Sequence, residues 1–128
     1  MAHTSPGGPI SAQCLLNAVD DETLGQWIDV RGEPYLVFYC TSAGTTSSGV
    51  ISFEEAAPKD FSSAEEPAPV FGAATGNYSV ITTVNASTFS SDAQLAVHVT
   101  NAAYCYVRAR VSTVIGGGGT VSVGLVAY

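Results

Sequence analysis

The chain has 128 residues, of which 46 % are apolar and only 12 % charged, with a formal net charge of −7 from eleven acids and four bases. That length is one domain's worth, enough to bury a core without metal or disulfide staples. The negative field excludes nucleic acid and anionic membrane as partners, since both are repelled by it, and no apolar run reaches the roughly 18 residues of a membrane helix. Charge is far below the roughly one quarter usual in soluble domains. The polar remainder is Ser, Thr, Gly and Asn, which makes an uncharged surface suited to packing against neighbours.

Residues 1–11 (MAHTSPGGPIS) read as a flexible N-terminal arm ahead of a single domain over 12–128. Pro6-Gly7-Gly8-Pro9 forbids helix and ladder alike, so the arm is expected to order only against another surface. Met1 to Pro9 has neither the basic region nor the apolar core of a secretion signal, which points to synthesis in the cytosol. Cys14 to Val19 is a first short strand, closed by the acidic turn Asp20-Asp21-Glu22. That cluster lacks the glycine and the spaced oxygen ligands of a calcium loop and reads as a solvated turn.

Gly25 to Val30 is a second strand carrying the single tryptophan, Trp27. After Arg31-Gly32-Glu33-Pro34, the run Tyr35 to Cys40 is the most apolar in the chain and the candidate central strand. Leu36, Phe38 and Cys40 share one of its faces, and Tyr35, Val37 and Tyr39 the other. The pattern leaves open which face meets the core. Thr41 to Ser48 is a polar loop, and Val50 to Phe53 a strand ending in Glu54 and Glu55. Residues 56–76 carry Pro58, Pro67, Pro69, Gly72 and Gly76 with Asp60, Glu65 and Glu66, a long irregular connection of the kind that tends to be functional.

Tyr78 to Val84 and Gln94 to Thr100 follow as strands, the latter with Leu95, Val97 and Val99 inward and His98 outward. The last two strands, Tyr104 to Thr113 and Thr120 to Tyr128, read as a hairpin joined through Gly116 to Gly119. Cys105, Val107, Ala109 and Val111 alternate with Tyr106, Arg108, Arg110 and Ser112. Val121, Val123 and Leu125 repeat at the same period of two. About eight short strands and no convincing helix predict an all-β fold. It is an antiparallel β-sandwich or a jelly roll, and the sequence does not separate the two.

No enzyme is legible. His3 lies in the arm and His98 on an outward strand face, and no G-x-S-x-G elbow accompanies either, so a hydrolytic triad is not supported. Glu54 and Glu55 are adjacent and point to opposite sides of a strand, unlike the paired carboxylates of a glycosidase. Two isolated histidines and three scattered cysteines have no metal-ligand spacing, and no cofactor is implied. Cys14, Cys40 and Cys105 each sit in an apolar run and are expected as buried free thiols. Trp27, Tyr35, Tyr39, Tyr104, Tyr106 and Tyr128 offer either a stacking platform for sugars or ordinary core packing. Arg108 and Arg110, two apart on an outward face, are expected to pair with the loop carrying Glu65 and Glu66 or with an adjacent subunit. An interface would then include Arg108, Arg110, Tyr104, Tyr106, Trp27, Glu65 and Glu66.

Several segments carry a likeness. They are Leu15-Leu16-Asn17-Ala18, Gly25-Gln26-Trp27-Ile28-Asp29-Val30 and Gly49-Val50-Ile51-Ser52-Phe53-Glu54. Tyr106-Val107-Arg108-Ala109-Arg110-Val111, with Gly116 to Val126, completes the set. In this order the chain resembles small β-rich virion proteins of tailed bacteriophages. The resemblance implies a non-enzymatic role on the outer surface of the virion, decorating or cementing the icosahedral head by binding across neighbouring major capsid subunits, as a trimer or dimer. The alternative is a tail or fibre accessory module that binds host-surface carbohydrate.

Overall fold

The computed structural model describes residues 12–56, 78–100 and 106–128. The expected arm and nearly all of the 56–76 connection lie outside the described residues, as do Tyr104, Cys105, Glu65 and Glu66. The described chain forms eight strands: β1 (Ala12–Val19), β2 (Ile28–Asp29), β3 (Leu36–Ala43), β4 (Ser48–Ala56), β5 (Ser79–Asn85), β6 (Gln94–Val99), β7 (Tyr106–Gly116) and β8 (Thr120–Ala127). One 3-10 turn, Ala86–Phe89, links β5 to β6. The strands make two four-stranded antiparallel sheets, ordered β1-β8-β3-β6 and β2-β7-β4-β5. Two sheets that each bury one face must cover each other, and the fold is an all-β sandwich.

The pairing is nested. β4 pairs with β5, β3 with β6, β2 with β7 and β1 with β8, so the two halves of the chain run alongside each other as one long ribbon. Folding that ribbon over brings β8 against β3 and β7 against β4, which closes the sheets. The chain therefore changes sheet at every connection except β4 to β5.

The core lies where the alternations converge. Leu36, Phe38 and Cys40 of β3 and Val121, Val123 and Leu125 of β8 face Ile51 and Phe53 of β4 and Val107, Ala109 and Val111 of β7. Phe38 and Phe53 bridge the sheets, with ring centroids 4.5 Å apart. β3 is an interior strand, and its Leu36 face is the one that meets the core, which settles the choice left open by the sequence. Fully buried Thr46 ties the β3–β4 connection to the 3-10 turn: its Oγ1 donates to the Ala86 carbonyl at 2.9 Å, and its N–H donates to Ser90 Oγ.

Four expectations are corrected. β7 and β8 are not a hairpin: they lie in opposite sheets, and the glycine stretch carries the chain across the sandwich. Gly117 and Gly118 make that crossing at φ +103° and +89°, conformations costly for any other residue. β3 runs on to Ala43, into the stretch read as loop, because Thr41, Ser42 and Ala43 find ladder partners in Ser122, Val121 and Thr120. β4 likewise extends to Ser48 and Ala56, which pair with Gly116 and Tyr106.

The second strand, expected over Gly25 to Val30, is broken. Thr23 and Gly25 hydrogen-bond to Val111 and Ala109 of β7, and the ladder resumes at Ile28 opposite Val107. Two residues, Gln26 and Trp27, thus face the single residue Arg108. This is a β-bulge, which re-aims a side chain and bends the strand.

Candidate functional site

The densest polar constellation lies on the outer face of the β2-β7-β4-β5 sheet. Cross-strand register sets Glu54 of β4 opposite Arg108 of β7, and Ser52 opposite Arg110. Alternation sends these four side chains away from the core and sends Phe53, Ala109 and Ile51 into it. Arg108 Nε donates to Glu54 Oε1 at 2.8 Å, and Arg110 Nε donates to Oε2 at 2.8 Å. Ser52 Oγ donates to the same Oε2 at 2.9 Å. Glu54 is 0 % exposed and Arg108 3 %, whereas Arg110 keeps 20 %.

Aromatic rings cover the guanidiniums. The Arg108 Cζ lies 4.4 Å from the Trp27 ring centroid and 5.1 Å from that of Tyr78. The Tyr78 hydroxyl accepts from Arg110 Nη2 at 3.2 Å, with its ring 5.4 Å from the Arg110 Cζ. The bulge is what swings Trp27 to this position. It depends on Gly25, where an added Cβ would collide with the carbonyl oxygens of Ala109 and Leu15. Beside the network, Asp29 takes both Nε and Nη2 of Arg31, at 3.1 and 2.8 Å, and the Arg31 Cζ lies 5.3 Å over the Tyr106 ring. Its hydrogen bonds from Arg31 hold the Asp29 carboxyl below the usual carboxylate range.

This arrangement is a lock rather than a reaction centre. Each described arginine is held by a carboxylate of its own chain, and the Glu54 carboxylate, which is fully enclosed, already accepts three hydrogen bonds. A buried ion pair adds little net stability once desolvation is counted, but removing one member leaves a charge stranded. Its clear effect is on register. A one-residue slip of β7 would turn Arg108 and Arg110 into the core.

The expected interface residues therefore part company. Arg108, Arg110 and Trp27 are brought together, and Tyr106 lies on the same face. Arg108 and Tyr106, however, are buried instead of standing on a solvated face, and the partner of both arginines is Glu54. Tyr104, Glu65 and Glu66 lie outside the described residues. The aromatics do not form one platform: Trp27 and Tyr106 are on this sheet, while Tyr35, Tyr39 and Tyr128 belong to the other. The residue pattern did not single out Glu54 and Tyr78 as partners of the arginines. The signal was Ser-x-Glu on one strand answering Arg-x-Arg on another, visible only with the register in hand.

The other sheet is the chemical opposite. Its strands, of 8, 8, 6 and 8 residues, contain no Asp, Glu, Lys or Arg. Its outer face presents Cys14, Tyr39, Thr41, Gln94, His98 and Gly124. Tyr39 is 38 % exposed and Tyr35 45 %, and Tyr35 and Tyr128 pair their rings at 6.0 Å. A shallow hollow of about 360 Å³ opens beside Tyr39. Cys14 is exposed there, contrary to expectation, because the chain bulges between Cys14 and Leu16 and directs both Leu15 and Leu16 inward. Cys40 is buried as expected, and burial pushes its thiol up to about 12.

Among the described residues no three His, Cys, Asp or Glu side chains converge as a metal site, and no helix is long and apolar enough to cross a membrane. Comparison with protein families, with curated proteins and with solved structures finds no match.

Proposed function

We propose that this chain is a non-enzymatic structural protein of a virion. In this reading it decorates or cements the icosahedral capsid of a tailed bacteriophage by binding across neighbouring major capsid subunits. The observation that carries the reading is the sheet with no charged residue in any of its four strands. A solvated antiparallel sheet face ordinarily alternates apolar residues with charged ones. A neutral, Tyr- and hydroxyl-bearing face instead costs little to desolvate and suits repeated contact with protein. The described arginines are internally neutralised, so none of them is left to recruit phosphate.

The strand order supports the finer fold reading. Nested pairing of β1 with β8, β2 with β7, β3 with β6 and β4 with β5, rolled into two sheets, fits a jelly roll, a fold used by viral capsid and lectin domains. Fold analogy alone does not assign a role. The lectin use keeps a second reading in play, a tail or fibre module that binds host-surface carbohydrate. Exposed Tyr39 beside the hollow favours it.

Cryo-electron microscopy of particles from the source tests both. Density for this chain bridging capsomers on the outer head surface is the expected result. Density confined to the tail, with saturable hits on a glycan array, turns the assignment to the second reading. Absence from every particle overturns both.

A further inference from the structure

We infer that the outer face of the β1-β8-β3-β6 sheet is a self-association surface, on which a second copy of this chain docks face to face. The inference deepens the assembly reading above and rests on it only for the idea that the neutral sheet is a contact surface; it gives that face to a second copy and leaves contacts with the capsid to the rest of the molecule. The identity of the occupant comes from three observations.

The first is charge. Two copies each carry −7, and like charges brought together across an interface are costly. The described acids lie in the turn after β1, around β2, on β4 and in the loop before β6, never within this sheet. Facing the two neutral sheets is an approach that brings no strand acid against another.

The second is shape. Gly124 lies within β8, where glycine weakens a strand and often marks a close approach by another molecule. The fold does not need it: an added Cβ would meet only the Gln13 carbonyl oxygen, at an ordinary 3.6 Å. What the glycine provides is the hollow, bordered by Gln13, Cys14, Thr41 and Ser122, with exposed Tyr39 at its side. A partly exposed ring at the edge of a recess on the same face suits a two-fold contact, since each copy offers both.

The third is area. Four strands about 4.8 Å apart and about eight residues long at about 3.3 Å each make a face of roughly 500 Å² in plan. Relief from the side chains raises the accessible area toward the roughly 800 Å² per partner of a standard interface.

Sedimentation velocity of the full chain tests this over about 1 to 100 μM, the range in which a micromolar Kd is read. The wild type is expected to move from monomer to dimer across that range. Gly124→Val fills the recess and Tyr39→Ser removes the ring, and each should weaken dimerisation at least tenfold. Thr83→Glu, on exposed β5 of the other sheet, should leave it unchanged. Circular dichroism at the lowest concentration checks that each variant is folded, and Tyr39→Ser carries the test if Gly124→Val is not. A wild type that stays monomeric, a trimer as its smallest assembly, or a dimer indifferent to Tyr39→Ser overturns the inference. So does a dimer broken by Thr83→Glu. Because the assay uses isolated protein, dimerisation can fail while the chain is found on particles, and the reverse outcome is equally readable.

Discussion

Replacing Glu54 by Gln strands two guanidiniums in a place built for one carboxylate between them. The side chain is fully enclosed and accepts from Arg108, Arg110 and Ser52 at 2.8, 2.8 and 2.9 Å. An amide keeps the shape but removes the counter-charge, and it presents donors where the arginines need acceptors. Breaking a buried pair in this way costs about 3–5 kcal/mol, which for a domain of this size lowers the thermal midpoint by about 12–20 °C. The same reasoning predicts the opposite for the whole set. Converting Glu54, Arg108 and Arg110 together to Met removes the desolvation cost along with the charges, so stability should return to the wild-type value or exceed it by about 1–4 kcal/mol. Urea titrations of both variants, compared at constant m-value, give the two numbers. A loss below about 1 kcal/mol for Glu54→Gln, the range of an exposed pair, would refute the argument that this network is a buried lock.

Two further outcomes follow from named contacts. Gly25→Ala forces a Cβ against main-chain oxygens that have no rotamer to yield, and should cost about 1–3 kcal/mol. It should also loosen the bulge that holds Trp27 over Arg108; a single tryptophan makes this visible as a red shift in emission, and unchanged emission would count against the bulge as the positioning device. In a Cys105→Ser background, exposed Cys14 should react with a thiol reagent on mixing and Cys40 only on unfolding. Burial raises the Cys40 thiol from 9.0 to about 12, so the unfolded state loses its proton first as pH rises. The stability contribution is therefore whole below pH 9 and is lost between 9 and about 12. Urea midpoints of this background and of its Cys40→Ala derivative should diverge in slope only above pH 9, and parallel slopes there would remove the effect.

The candidate site shows how far residue patterns reach. Arg108 and Arg110 were legible as a pair on one strand face, and Trp27 as an aromatic on a neighbouring segment. The burial of Arg108 was not, because an outward face is solvated only when nothing folds over it. Here Tyr78 and the bulge at Gln26 and Trp27 supply contacts that no periodicity announces. Cys14 failed for a related reason. Its apolar surroundings predicted an interior thiol, but a bulge shifts the alternation by one residue and turns it outward.

Alternation at a period of two is written in the residues themselves. It places Leu36, Phe38 and Cys40 on one side of β3, and Val107, Ala109 and Val111 on one side of β7, and it makes the protein all-β. That information is local, since successive Cβ atoms of an extended chain must point to opposite sides. Which strands become neighbours is a different kind of fact. Glu54 meets Arg108 across 54 positions of sequence, and β7 and β8, adjacent in the chain, separate into opposite sheets. Such pairings are decided by closing the nested ribbon so that every apolar face is covered at once, and no single strand carries that condition in its own residues.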